Sequence, residues 1–66
     1  MFFIQVRGPQ TKTSDNVERW HTVTEERDAQ KALSAYMGWA ESSFCHDHDA
    51  RLVEDAKEIA FRVRGQ

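Results

Sequence analysis

Five consecutive residues, Cys-His-Asp-His-Asp at positions 45–49, concentrate the side chains that could bind a metal ion or move a proton. They include the only cysteine of the chain and two of its three histidines. Zinc prefers thiolate and imidazole ligands in a tetrahedral arrangement, and a structural zinc site normally has four of them. Three could come from Cys45, His46 and His48, and the fourth from Asp49 or the distant His21.

The spacing of these ligands argues against a metal site. Residues 45 and 46 point apart in an extended chain, there is no Cys-x-x-Cys pair, and one loop rarely encloses a tetrahedral ion. A catalytic Cys–His pair is disfavoured because nucleophile and base must face each other. We therefore expect neither a metal nor a cofactor. The segment is interpreted as an exposed polar connector that could act as a contact loop, with His46 and His48 making its binding sensitive to pH.

Length and composition restrict the function further. A chain of 66 residues predicts a single domain, 1–66, with a thin core. A lone cysteine excludes an internal disulfide, and the apolar N-terminus lacks the basic segment of a signal peptide, so we expect a cytoplasmic protein. The net charge of −2 argues against general binding of polyanions. Phosphate-binding loops and nucleophile elbows are absent, so we expect no enzyme activity.

The elements that must position any site follow from hydrophobic periodicity. Alternation and β-forming residues predict strands over 2–7, 17–23, 51–54 and 58–64, with a turn at 55–57. Apolar residues at helical spacing predict a helix over about 25–41, which Thr24 would cap. The order β-β-α-β-β predicts an α+β fold, a four-stranded antiparallel sheet with one helix on one face.

The helix is expected to bury one apolar stripe. Its members are Ala29, Ala32, Leu33, Tyr36, Met37, Ala40 and Phe44. Trp39 lies beside the stripe, where it could seal the small core or protrude as an interface anchor. Gly38 would either lie inside the helix at a cost of about 1 kcal/mol or end it early.

The face of the sheet opposite the helix is the second candidate site. Alternation places Phe2, Ile4 and Val6 inward, and Phe3, Gln5 and Arg7 outward. In the last strand it places Ile59, Phe61 and Val63 inward, and Arg62 and Arg64 outward. The sequence does not fix the register of the second strand, so either Arg19 or Trp20 joins this surface. In the third strand, either Arg51 or Leu52 joins it. A surface of arginines and aromatics fits a solvated face, a protein interface or single-stranded nucleic acid.

In size and order of elements, from Phe2–Arg7 to Glu58–Arg64, the chain resembles small β-β-α-β-β proteins of phages and mobile elements, including some anti-CRISPR proteins. The resemblance implies a non-enzymatic inhibitor that binds a larger protein, such as a host nucleoprotein defence complex. Binding of single-stranded nucleic acid is the alternative, a metal-binding loop is a third, and homodimerisation stays open. The candidate partner-binding residues are Arg7, Trp20, Trp39, His46, Asp47, His48, Asp49, Arg62 and Arg64.

Overall fold

The computed structural model describes residues 1–65, apart from the side chain of Phe44. Its strands are β1 (Phe2–Arg7), β2 (His21–Glu26), β3 (Asp49–Glu54) and β4 (Lys57–Arg62), and its helix is α1 (Ala29–Ala40). Two short 3₁₀ turns, Pro9–Thr11 and Ser43–His46, lie between them. The strands form one antiparallel sheet in the order β2-β1-β3-β4, which confirms the predicted fold class. Within residues 1–65, none of the helices has the length and apolar character needed to span a bilayer.

Strand β1 is central and has the predicted bounds. Ile4 and Val6 are buried against the helix, together with their cross-strand partners Leu52 and Ala50 on β3. Because side chains alternate along a strand, Phe3, Gln5 and Arg7 lie on the opposite face, as predicted. The main hydrophobic cluster therefore lies on the helix side of the sheet. Among the described residues the other side has no helix, although Val53 and Asp49 are buried there.

Strand β2 begins at His21, four residues later than the predicted Val17, and continues to Glu26. Residues 24–26 were assigned to the start of the helix, but they pair with Ile4, Phe3 and Phe2 of β1. The strand is both bulged and at the edge of the sheet, which resolves its ambiguous alternation. The helix is capped by Asp28, whose carboxylate accepts the N–H of Lys31 at 3.0 Å, and the expected cap at Thr24 is wrong.

The helix buries a narrower face than its apolar stripe predicted. Ala32, Tyr36 and Ala40 contact the sheet, whereas Leu33 and Met37 are 51% and 44% exposed. Alanines on the buried face let the helix approach the sheet closely, which leaves the flanking large residues outside the contact. Among the alternatives for Trp39, the structure shows the sealing role, since its ring packs against the core. The predicted contribution of Phe44 to the apolar stripe concerns its side chain, which lies outside what the structure describes.

Gly38 lies inside the helix, and this position yields a stability prediction. A Cβ built on Gly38 meets nothing within 4 Å, so an alanine side chain would fit without strain. Gly38→Ala should stabilise the fold by about 0.5–1 kcal/mol, because glycine loses more backbone entropy in a helix. Urea unfolding followed by circular dichroism measures the change. Gly65→Ala is the control and should destabilise the fold, because Gly65 has a φ of +77°. A lower urea midpoint for Gly38→Ala than for wild type would contradict the prediction.

Strand β4 presents the opposite faces from those predicted. Arg62 pairs with Ala50 and Ala60 with Leu52, and cross-strand partners share a face, so Ala60 and Arg62 lie on the helix side. Phe61 pairs with Arg51 and lies on the other side. The inward orientation predicted for the large apolar residues of this strand is therefore wrong, and so is the outward one for Arg62. A register shift between Leu52 and Val53 is the local cause of the irregularity.

Candidate functional site on the open face of the sheet

We call the surface opposite the helix the open face. The strand register assigns it these residues: Phe3, Gln5, Arg7, Thr22, Glu25, Asp49, Arg51, Val53, Glu58 and Phe61. Trp20, just before β2, lies over this face through its contacts with β1, β3 and β4. Arg64, just after β4, joins it through hydrogen bonds to Asp49. The open face is therefore formed by the four strands together with Trp20 before β2 and Arg64 after β4.

Trp20 is the centre of the aromatic part of the open face. The guanidinium carbons of Arg7 and Arg51 lie 4.4 Å and 4.1 Å from the centroid of its ring. Its ring also meets Phe61 edge to face, with centroids 5.8 Å apart and planes at 80°. Cation–π and edge-to-face contacts each contribute about 0.5–1.5 kcal/mol and favour one orientation of the ring. Trp20 is therefore held in place while remaining partly accessible.

Asp49 is the centre of the ionic part. One carboxylate oxygen accepts hydrogen bonds from Arg7 Nη2 at 3.1 Å and from Arg64 Nη2 at 3.0 Å. The other accepts the backbone N–H of Arg64 at 2.8 Å. Arg64 Nη2 also donates to Glu18 Oε1 at 2.5 Å, which ties the loop before β2 to the end of β4. Four residues far apart in sequence therefore form one hydrogen-bonded network.

The network changes the pKa of its members. Hydrogen bonds from the Arg64 side chain lower the pKa of Asp49 to about 2, although its burial opposes the shift. The Arg64 guanidinium likewise lowers the pKa of Glu18. The pKa of Arg64 itself is raised, first by its hydrogen bond to Glu18 and then by that to Asp49. All of these groups stay ionised at neutral pH, so the network is a fixed structural feature and offers no proton for catalysis.

Arg51 connects the aromatic and polar parts of the open face. Its Nε donates to Gln5 Oε1 at 2.8 Å, and Gln5 Nε2 donates to Thr22 Oγ1 at 3.0 Å. Its Nη1 lies 3.9 Å from Glu58 Oε1. Burial lowers the pKa of Arg51, and Glu58 acts in the opposite direction. This second network extends across all four strands, from Thr22 on β2 to Glu58 on β4.

Residues 45–49 are not the exposed connector that their composition suggested. Cys45, His48 and Asp49 are all buried, and only His46 and Asp47 are exposed. The Cys45 thiol donates to the carbonyl of Trp39 at 3.1 Å, and burial raises its pKa, which opposes nucleophilic activity. His48 Nδ1 lies 2.6 Å from Asp47 Oδ1. Among the described side chains, no group of three or more His, Cys, Asp and Glu residues could hold a metal ion.

The candidate residues therefore separate into two groups. Arg7, Trp20, Asp49 and Arg64 come together on the open face. The others lie elsewhere: Trp39 on the helix, His46 and Asp47 on the exposed link, His48 in the interior and Arg62 on the helix side of β4.

Three residues of the site were not among the sequence candidates. Arg51 was one of two alternatives for its strand, Phe61 was predicted to lie in the core, and Glu18 was not a candidate. In the sequence Glu18 stands next to Arg19, but the fold shows that its partner is Arg64.

The chain was also compared with known proteins. No protein-family model, curated protein or solved structure matches it significantly. The geometry of the open face is thus the basis for assigning a function.

Proposed function

We propose that the chain is a non-enzymatic protein-interaction module that binds a larger protein through the open face and the adjoining strand β4. The exposure of large apolar residues on and next to β4 carries the proposal. Ile59, Phe61 and Val63 are between 41% and 48% exposed, and β4 is an edge strand with one free side. Solvent-exposed apolar residues on a sheet edge favour association, because docking removes them from water and pairs the strand.

The composition of the open face matches that of protein interfaces. Trp20 and Phe61 supply aromatic area, and Arg7 and Arg51 supply guanidinium groups already oriented by stacking on Trp20. Tryptophan, aromatic residues and arginine are the types that contribute most to binding energy at protein interfaces. Because these side chains are held in the unbound chain, docking would cost little side-chain entropy.

The balance of charge favours a protein over single-stranded nucleic acid. Arg7, Arg51 and Arg64 are matched on or beside the open face by Asp49, Glu58 and Glu18. Nucleic-acid affinity depends on cations that can replace the counterions of phosphates, and cations already paired with carboxylates do this poorly. Trp20, whose ring is contacted by the guanidinium groups of Arg7 and Arg51, is the feature of this face that would suit a stacked base.

The narrower form of the proposal is a phage-type inhibitor that blocks a host defence complex. Its support is the order of elements, strand-strand-helix-strand-strand, which is the feature on which the resemblance to small phage inhibitors rests. The open face, whose arginines are held by carboxylates and by Trp20, is consistent with blocking a docking site by steric occupation. This form predicts a stable complex and no turnover of the partner.

A photo-crosslinking experiment tests the docking surface. Benzoylphenylalanine placed at Phe61 should give one discrete adduct in an extract of the source cell or its host. The adduct should disappear with excess unlabelled wild-type chain and persist with excess Phe61→Glu, because a charge at this position opposes burial in an interface. Mass spectrometry of the adduct identifies the partner, and an adduct with twice the chain's mass would identify a second copy.

Benzoylphenylalanine at Leu33 is the matched control. Leu33 is more exposed than Phe61 but lies on the helix, away from the open face. Equal adducts from both positions would contradict the proposal. So would retention on single-stranded DNA at low salt that Arg51→Gln removes, which would favour the nucleic-acid alternative.

A further inference from the structure

A cavity of about 500 Å³ lies at the end of the sheet where β1 and β2 meet the segment 10–13. This volume is within the range of small-molecule sites, about 300–1,000 Å³. Val6, Trp20 and Val23 form its apolar wall, and Gln10, Lys12, Arg19 and His21 are among its polar lining. The cavity therefore offers an apolar surface beside a set of nitrogen donors, and its lining differs from the docking surface proposed above except at Trp20.

Two cationic residues, Lys12 and Arg19, line the cavity, and its described lining contains no Asp or Glu. Asp15, outside the lining, pairs with Arg19, so Lys12 supplies the unbalanced positive charge. Glu18, which forms a backbone bridge with Lys12, has its carboxylate hydrogen-bonded to Arg64. Lys12 makes no ion pair within residues 1–65 at salt-bridge distance. Its ammonium group can therefore bind an anion without breaking a pair.

The walls of the cavity are held by backbone hydrogen bonds. The N–H of Gly8 donates to Thr11 Oγ1 at 3.0 Å, and the N–H of Arg19 donates to the carbonyl of Thr11 at 3.2 Å. An isolated β-bridge joins Lys12 to Glu18, so the two cationic positions are carried by paired backbone segments. Arg19 is further oriented by Asp15, whose carboxylate lies 2.8 Å from its Nη2. A site with walls fixed in advance spends less binding energy on ordering itself.

We propose that this cavity binds a small phosphate monoester carrying a planar group, of the nucleoside monophosphate class. The phosphate lies among Lys12, Arg19 and His21, with the ammonium group of Lys12 as its main anchor. Arg19 keeps the contact of its Nη2 with Asp15, and its other N–H groups and the imidazole N–H of His21 can donate to the phosphate oxygens. The planar group packs on the apolar wall formed by Trp20 and Val23. This site shares Trp20 with the protein-docking surface but uses other residues for the rest of its lining, and it goes beyond the proposed function.

Titration of the ¹⁵N-labelled chain with adenosine monophosphate, adenosine and inorganic phosphate tests the proposal. Adenosine monophosphate should shift the amides of residues 10–13 and 19–23 saturably and bind at least about tenfold more tightly than either fragment, because it uses both walls. Lys12→Gln and Arg19→Gln should each weaken binding about tenfold or more, the loss expected for a charged hydrogen bond.

Lys57→Gln and Arg27→Gln are the matched controls, because each removes the same charge from an exposed residue outside the cavity. They should leave the affinity unchanged, and a loss equal to that of the cavity variants would overturn the proposal. Absence of saturable shifts at about 10 mM ligand would also overturn it. An oligonucleotide that binds more than about tenfold tighter than adenosine monophosphate through Lys12 and Arg19 would replace it with nucleic-acid binding.

Discussion

Asp49→Asn is expected to destabilise the fold by about 3 kcal/mol at neutral pH, which corresponds to a fall in Tm of about 15 °C for a domain of this size. The carboxylate is 5% exposed and accepts hydrogen bonds from Arg7 and Arg64. An amide of the same shape loses the charge and offers one acceptor oxygen, so two guanidinium groups lose their shared anion. Urea unfolding at pH 7 measures the effect.

The pH dependence identifies the ionised carboxylate as the cause. The pKa of Asp49 is about 2 in the folded chain, below its usual value of 3.8. A lowered folded-state pKa gives stability that is fully present above about pH 4 to 5 and is lost as pH falls toward 2, amounting to about 2 kcal/mol. The stability difference between wild type and Asp49→Asn should therefore narrow by this amount on acidification.

Glu54→Gln is the matched control for this experiment. Glu54 lies on the same strand, is exposed, and loses the same charge on substitution. Its effect should stay within about 0.5 kcal/mol at every pH. A difference between wild type and Asp49→Asn that does not change between pH 6 and pH 2 would show that the ionised carboxylate is not what stabilises the network.

Local sequence patterns were sufficient where one chain segment decides its own structure. The period-2 pattern of residues 2–7 gave the bounds and the faces of β1. The predicted turn at 55–57 is present at its first two residues, and Asp55 has a φ of +55°, a conformation that aspartate tolerates better than most residues. In both cases the deciding interactions are local, between residues that are near in sequence.

The faces of β4 and of the helix could not be read from alternation alone. Ile59, Phe61 and Val63 have the pattern of core residues, but the register shift opposite Leu52 and Val53 places Ala60 toward the helix. A bulge depends on the partner strand and leaves no clear pattern in its own sequence. Likewise, Leu33 and Met37 are as apolar as the buried face, and only the docking angle of α1 selects the alanines instead.

The ionic network around Asp49 could not be predicted from the sequence for a related reason. Arg7, Asp49 and Arg64 were sequence candidates and Glu18 was not, but Arg7 and Asp49 are 42 positions apart and Arg64 and Asp49 are 15. Composition placed Asp49 in a polar connector, because aspartate is usually exposed. The fold brings two arginines to it, and paired charge is what makes its burial tolerable.

Gly8→Ala is expected to destabilise the fold by about 3 kcal/mol, although the backbone of Gly8 is extended and open to any residue. A Cβ at this position would lie 2.6 Å from Cγ of His48 and 2.7 Å from the carbonyl oxygen of Asp47. The His48 ring is 1% exposed, so it has little room to move away. Close packing of the ring against the Gly8 backbone is therefore the reason for glycine here.

A double-mutant cycle separates this steric cause from a general loss of stability. In a His48→Ala background the ring is absent, so the cost of Gly8→Ala should fall by at least about 1 kcal/mol, with the Asp47 carbonyl accounting for the remainder. Gly38→Ala, the same substitution at a site with open space, should change stability by the same amount in both backgrounds. Additive costs for Gly8→Ala and His48→Ala would place the origin of the effect outside the contact between these two residues.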